Sequence, residues 1–203
     1  FEQTLSQALI KALGWHLDYA CLVGDGAGKP KGILSDPALI TVTKESSQAA
    51  ATIRFENVVK MYARLHPACQ VSPSAIWIGN PNIVPQLFQM SIGLGTAGAP
   101  VFMPPGGVSS KPYSTLLGLP IVFTEKVPTL GTKGDLILAD LSQYSLGLRQ
   151  EIVLERSSDA GWANDITRYR VKLRADGQGR WSKAFTPKNG TTLSWCVCLE
   201  TRA

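Results

Sequence analysis

Apolar side chains recur along the opening stretch at three- and four-residue spacing: Phe1, Leu5, Ala8, Leu9, Ala12, Leu13, Leu17, Ala20 and Cys21. This period predicts an amphipathic helix of about six turns. No capping residue precedes it and the first residue is not methionine, so the sequence is expected to be a fragment of a longer protein. A polar, small-residue stretch from Ser35 to Thr52 gives way to a second helical stripe at Phe55, Val58, Val59, Tyr62 and Leu65, closed by Pro67. Ala75-Ile76-Trp77-Ile78 reads as a short buried strand. Asn80 and Pro81 read as the cap and first position of a short helix through Leu87 and Phe88, which Pro85 weakens.

From Ser91 to Pro112 glycine and proline dominate, and a long irregular segment is expected. Strand character resumes over Leu116 to Phe123, then after a turn at Gly131 to Gly134 over Asp135 to Asp140, and again at Ile152-Val153-Leu154. Between Ile166 and Arg174, Tyr169, Val171 and Leu173 alternate with Arg168, Arg170, Lys172 and Arg174. Successive strand side chains point to opposite faces, so these cations share one side of a ribbon. Three readings of that side stand open: a solvated face, ion pairing with acidic groups of neighbouring subunits, and contact with nucleic acid. Asp176-Gly177 reads as a turn, with Arg180-Trp181 beginning the return. Leu193 to Leu199 is apolar enough for a strand buried on both faces.

Composition narrows the class. The chain has 203 residues, and 20 Lys and Arg against 15 Asp and Glu give a net charge of +5. This permits acidic partners without demanding them. Its length allows one large domain or two small ones, and a chain of this size buries about 70% of its unfolded surface, so a core needs no staples. Hydrophobic residues make up 44% and charged residues 17%, against a usual charged share of about 25%. That excludes intrinsic disorder and implies uncharged surface that meets other protein. No apolar run is long enough to cross a membrane as a helix. Glu2, Lys11, His16 and Asp18 exclude a signal peptide at the front. Cys21, Cys69, Cys196 and Cys198 read as small buried hydrophobes of a reducing compartment.

The candidate chemistry is thin. Gly24-Asp25-Gly26-Ala27-Gly28-Lys29-Pro30 superficially suggests a phosphate loop. The glycines enclose one residue too few, Pro30 replaces the metal-binding hydroxyl, and a helix precedes the loop where a strand is required. Lys29 also stands where a dinucleotide fingerprint needs its third glycine. A helix stop is the simpler reading, with Gly24, Asp25, Gly26 and Gly28 forming a structural turn. His16 and His66 have no adjoining nucleophile or carboxylate pattern, and the Cys196-x-Cys198 pair has no nearby histidine to complete a metal set. No catalytic, cofactor or metal residues are assigned.

A long helix running into Gly-Asp-Gly-x-Gly-x-Pro-x-Gly-Ile-Leu, here Gly24 to Leu34, resembles the tailed-phage major capsid proteins of the Hong Kong ninety-seven fold. The same family is echoed by Leu117-Gly118-Leu119-Pro120-Ile121-Val122 and by Asp140-Leu141-Ser142-Gln143-Tyr144, with Ala139 in place of a glycine. Arg170-x-x-x-Arg174-x-Asp176-Gly177 and Ala184-Phe185-x-Pro187-x-Asn189-Gly190-Thr191 are similar to its closing segments. The resemblance implies an α+β fold in two parts. Residues 1–35 and 149–184 would form a peripheral domain of spine helix and antiparallel ribbon, and residues 36–148 and 185–203 an axial domain of mixed sheet and helices. It implies a structural protein, not an enzyme. Copies would assemble into pentamers and hexamers of an icosahedral virion shell around DNA. Assembly would take place in the bacterial host cytoplasm, with a scaffold or protease as transient partners. The family's N-terminal arm and extended loop would lie upstream of Phe1. An encapsulin-type compartment shell, with the same fold and a protein cargo, is the first alternative. A nucleotide-binding enzyme using Gly24 to Lys29 is the alternative from another class.

Overall fold

The structure, a computed structural model, describes residues 2–94, 97–100, 102, 115–159, 164 and 167–202. The opening apolar period forms one helix, α1 (Glu2–Val23). Its outer faces carry Ile10, Trp15 and Tyr19 into solvent, and Ala20 is its one buried residue among those described. The helix is therefore fastened near its C-terminal end and bare along most of its length.

The core is a six-stranded mixed sheet built from β1 (Ile40–Val42), β2 (Ala75–Gly79), β5 (Thr115–Leu116), β6 (Leu119–Phe123), β7 (Leu136–Asp140) and β10 (Cys196–Leu199). Its order is β1-β10-β7-β2-β6-β5. The strands β7 and β10 lie inside this order, and every residue of both is buried. That is why their sequences are continuously apolar instead of alternating. The indole of Trp77, fully buried on β2, donates to the Leu116 carbonyl at 2.9 Å, so its one polar atom is satisfied inside the core. Helix α2 (Phe55–Arg64) packs on β1 and β10. Its buried apolar residues are Val58 and Met61, followed by Leu65 just past its end, while Val59 stays 40% exposed. Met61 thus takes the inward place that apolarity alone gives to Val59.

Short elements close the ends of the sheet. Helix α3 (Pro67–Gln70) follows His66, whose Nδ1 accepts from the Ala68 amide at 3.3 Å. Asn80 caps a 3₁₀ turn by accepting from the Asn82 amide at 3.0 Å, and α4 (Val84–Gln89) continues with Pro85 in its first turn. Proline costs nothing there, because that amide has no helical partner.

Three expectations change. The stretch from Ser91 is not irregular throughout: β3 (Ser91–Leu94) and β4 (Ala97–Pro100) pair as an antiparallel hairpin. Phe102 is buried with its ring edge-on to Phe88 at 5.3 Å, and the other residues of that expectation, through Pro112, lie outside those described. Asp176-Gly177 is not a turn. The strand β9 (Arg168–Gly179) runs straight through it, paired along β8 (Tyr144–Ser157). The expected strand from Leu193 is shorter, its regular part being the four residues of β10, with Leu193 bridged back to Phe185.

One buried ion pair holds two loops to the end of the sheet. Arg202 and Asp135 are both fully buried and joined through Nη2 and Oδ2. Arg202 Nε also donates to the Thr52 carbonyl at 2.6 Å and Nη1 to the Glu200 carbonyl at 2.9 Å. The Gly131 amide donates to Asp135 Oδ2 at 2.9 Å. Removing one partner leaves the other charge stranded, so Arg202→Met is expected to cost about 3–5 kcal/mol in urea unfolding. Lys60→Met, which breaks the more exposed pair with Glu45, is expected to cost less than about 1 kcal/mol.

Candidate functional site

The glycine loop is a helix stop and a junction. The Gly24 amide still donates to the Ala20 carbonyl at 2.8 Å, and the Gly32 amide returns to the Gly24 carbonyl at 2.9 Å. Between them Gly26 and Gly28 take φ of +82° and +69°, the left-handed region where glycine carries no penalty. Gly24 and Gly32 serve differently. A Cβ on Gly24 would stand 2.2 Å from the Pro30 carbonyl oxygen, and one on Gly32 would stand 2.5 Å from the Gly24 amide nitrogen. Asp25 accepts from the Ala27 amide at 3.0 Å and pairs with Lys29 at 3.3 Å. That amide first, and then Lys29, hold its carboxyl below the usual range. A helix leads into the loop and only a 3₁₀ turn, Ile33–Ser35, follows it. Phosphate cradles need a strand before and a helix N-terminus after, and this loop offers neither.

What the loop holds is the ribbon. The Lys31 amide donates to the Gly177 carbonyl at 2.7 Å. The Tyr144 hydroxyl donates to the Lys31 carbonyl at 2.9 Å. Gly177 is glycine because a Cβ there would lie 2.7 Å from that same hydroxyl oxygen. Burial pushes the Tyr144 hydroxyl and the neighbouring Cys21 thiol above their ordinary ranges. The helix is further tied by Trp15, whose indole donates to Glu125 Oε1 at 2.7 Å, and by Asp18, which pairs with Lys126 at 2.6 Å. Beneath these straps lies a groove of about 420 Å³ that includes Cys21, Ile76, Ile78, Val122 and Leu141.

The ribbon has two unlike faces. On β9, Arg168, Arg170, Lys172 and Arg174 do share one face, as the alternation predicts, opposite Ser157, Glu155, Val153 and Gln150 of β8. Glu155 accepts from Arg170 Nε at 2.9 Å, contacts Arg170 Nη2 as well, and accepts from Lys172 Nζ at 2.7 Å. Lys172 first, and Arg170 after it, hold the Glu155 carboxyl below its usual range. Among the described residues Arg168 and Arg174 make no ion pair. The other face places Leu154 beside Val171, Leu148 beside Ala175 and Leu146 beside Gly177. There Leu146 is 44%, Leu148 57% and Leu154 39% exposed. Pairing is interrupted by register shifts around Gln150, which add local twist to a ribbon.

The remaining sequence candidates are structural. Burial pushes the Cys196 and Cys198 thiols up, and their sulfurs contact Ser194 at 4.0 Å and Thr41 at 3.7 Å. His66 caps α3 and meets the edge of Trp181 at 5.5 Å. Among the described residues no group of three His, Cys, Asp or Glu is placed to hold a metal ion, and no helix is long and apolar enough to cross a membrane. Sequence reasoning missed Glu155, Trp15 and Glu125. Only the strand register, which the residues do not spell out, puts Glu155 between two cations.

The geometry makes two predictions. Gly26→Val is expected to cost about 1–3 kcal/mol in thermal or urea melts, because a β-branched residue is strained at positive φ. Lys29→Ala is expected to stay within about 0.5 kcal/mol. The second concerns Glu155, whose folded pKa is depressed. Such a carboxylate stabilises the fold above its unfolded pKa of about 4.3 and loses that contribution as pH falls through the folded value. The melting temperatures of the parent and Glu155→Gln should therefore differ slightly at neutral pH and converge in acid.

Comparison with known proteins adds the context. The phage capsid family matches residues 1–189 of the chain. No curated protein matches it in sequence. Among solved structures it is similar to the capsid of an empty GTA particle computed with C5 symmetry. There the TM-score is 0.76 and the identity 16%, covering 100% of this chain and 67% of that one. The capsid of a native GTA particle computed with C5 symmetry gives a TM-score of 0.72 at 15% identity, covering 100% of this chain and 72% of that one. The architecture is thus the Hong Kong ninety-seven type, α+β, with a long helix and ribbon beside a mixed sheet. By its match along nearly all its length, the chain belongs to the phage capsid family, the structural shell proteins of the virion.

Proposed function

We propose that this chain tiles a closed icosahedral shell around a phage genome, with copies arranged in rings of five and six. One observation carries the proposal: the strands β8 and β9 form a two-stranded sheet apart from the core sheet, and one face of it leaves Leu146, Leu148 and Leu154 exposed. A two-stranded ribbon is marginal alone in water, and a row of exposed aliphatic side chains marks an interaction surface. Obligate interfaces bury about 2,000–5,000 Å². At about 25 cal/mol per Å² apolar burial is the main driving term, reduced by the costs of ordering and association. Head-to-tail contacts of this kind form rings when the rotation closes.

In this reading residues 1–35 and 149–184 form a peripheral part and residues 36–148 and 185–203 an axial part. The division is supported by the sheet, whose six strands all fall in the second set. Arg168 and Arg174 are the cations left for neighbouring subunits or for non-specific contact with packaged DNA. Assembly in the host cytoplasm, with a scaffold or protease as transient partner, belongs to the same reading.

The test is assembly of the full-length protein followed by electron microscopy and sedimentation. Particles of shell size are expected from the parent. Leu148→Asp should leave the subunit's melting temperature nearly unchanged and abolish or sharply reduce the particles. Normal particle yields from a folded Leu148→Asp protein would count against the ribbon as a docking surface.

A further inference from the structure

The loop between Phe185 and Leu193 carries a feature that lies outside the proposed docking face of the ribbon. The two residues bridge each other, with backbone bonds of 2.8 and 2.7 Å in the two directions. Inside that bridge the hydroxyls of Thr186 and Thr192 meet at 3.1 Å. The loop is thus pinned at its base, and Asn189-Gly190 stands at its tip with both residues exposed. Gly190 has φ of +114°, and a Cβ built on it finds no heavy atom closer than Pro187 Cγ at 3.8 Å. Among the described residues neither the Asn189 carboxamide nor the Gly190 amide has a hydrogen-bond partner.

The chain has five asparagines, and the others are protected in different ways. Asn57 is fully buried, and its Oδ1 accepts from the Arg54 amide at 3.0 Å and from Gln48 at 2.8 Å. Asn80 is buried, donates to the Val127 carbonyl at 2.8 Å and precedes proline, which has no N–H. Asn82 precedes the β-branched, fully buried Ile83. Asn164 precedes aspartate. Only Asn189 is followed by a residue without a side chain to block its own backbone nitrogen.

We propose that Asn189 is a site of spontaneous covalent modification whose only co-reactant is water. The Gly190 backbone nitrogen loses its proton to solvent base and attacks Cγ of Asn189. A C–N bond forms, the carboxamide nitrogen leaves as ammonia, and a five-membered succinimide results. Water then adds to either imide carbonyl. Opening on one side gives aspartate, and opening on the other gives an isoaspartyl link, in which the backbone runs through the side chain. No oxidation or reduction occurs. Each event adds one negative charge beside Lys188 and lowers the net charge of +5 by one. Because the loop is pinned at its base, the change stays local and leaves the core sheet intact.

The experiment incubates the full-length protein at mildly alkaline and mildly acidic pH, with a urea-unfolded control, and follows each asparagine by peptide-mapping mass spectrometry. The expected result is the amide-to-acid mass gain at Asn189, faster in alkali. An isoaspartyl product should accompany it, and the folded rate should be within several-fold of the unfolded rate. Asn57, Asn80 and Asn82 should change only in the unfolded control, if at all. Asn189→Gln should abolish the product at this site, and Gly190→Ala should slow it several-fold in the unfolded protein too, where strain at positive φ plays no part. If Asn189 stays intact in the folded protein while it converts in urea, the fold shields the loop and the proposal fails. It fails equally if another asparagine reacts first in the folded state.

Discussion

The hydrogen bond from the Tyr144 hydroxyl to the Lys31 carbonyl is the point on which the molecule's layout turns. It joins the end of α1, the loop after it and the root of the ribbon at one place. Gly24 and Gly32 let backbone pass backbone closely there, and Gly177 and Gly179 make room for the side chains of Tyr144, Asp36 and Trp195. A Cβ on Gly179 would fall 2.1 Å from Asp36 Oδ2, and one on Gly24 2.2 Å from the Pro30 carbonyl. Burial pushes the Asp36 carboxyl up, and its Oδ1 accepts from the Ala38 amide at 2.8 Å. The junction therefore fixes where the helix and the ribbon leave the core while spending little of either one's surface.

That economy explains the uneven burial. The sheet is finished, with β7 and β10 wholly covered and its deepest charge pair, Arg202 with Asp135, enclosed. The helix and ribbon are not finished. Trp15 and Tyr19 stack at 5.4 Å in the open, and three leucines of β8 face solvent. Of the ribbon's four aligned cations, two share the single carboxylate of Glu155 within the subunit. In the proposed shell, neighbouring copies would meet a partly self-paired surface, which limits like-charge repulsion without removing the charge that steers association. In the proposed shell these unfinished faces are the ones that neighbouring copies would cover, as expected for a subunit of a capsid family.

Much of this was legible in the residues. The three-four period of α1, the apolar run of β10 and the Asn80-Pro81 cap follow from local chemistry, and each appears in the structure. The alternation from Arg168 to Arg174 correctly assigned the cations to one face. What could not be read was tertiary. Gly177 looks like a turn residue because glycine after aspartate usually is one. Here it makes room for the Tyr144 ring, which lies more than thirty residues earlier in the chain. Met61 displaces Val59 from the core of α2 because the sheet, not the helix, decides which side faces inward. Glu155 joins Arg170 and Lys172 only through a register set by irregularities around Gln150.

The central claim is that the chain's chemistry is docking, and that helix and ribbon are completed by other copies. Amide hydrogen exchange compared between dispersed subunits and assembled particles of the full-length protein tests it most directly. The account predicts strong added protection along β8, β9 and the exposed length of α1, with little change in β7 and β10, which are already closed. Equal exchange of the ribbon in the two states would contradict it.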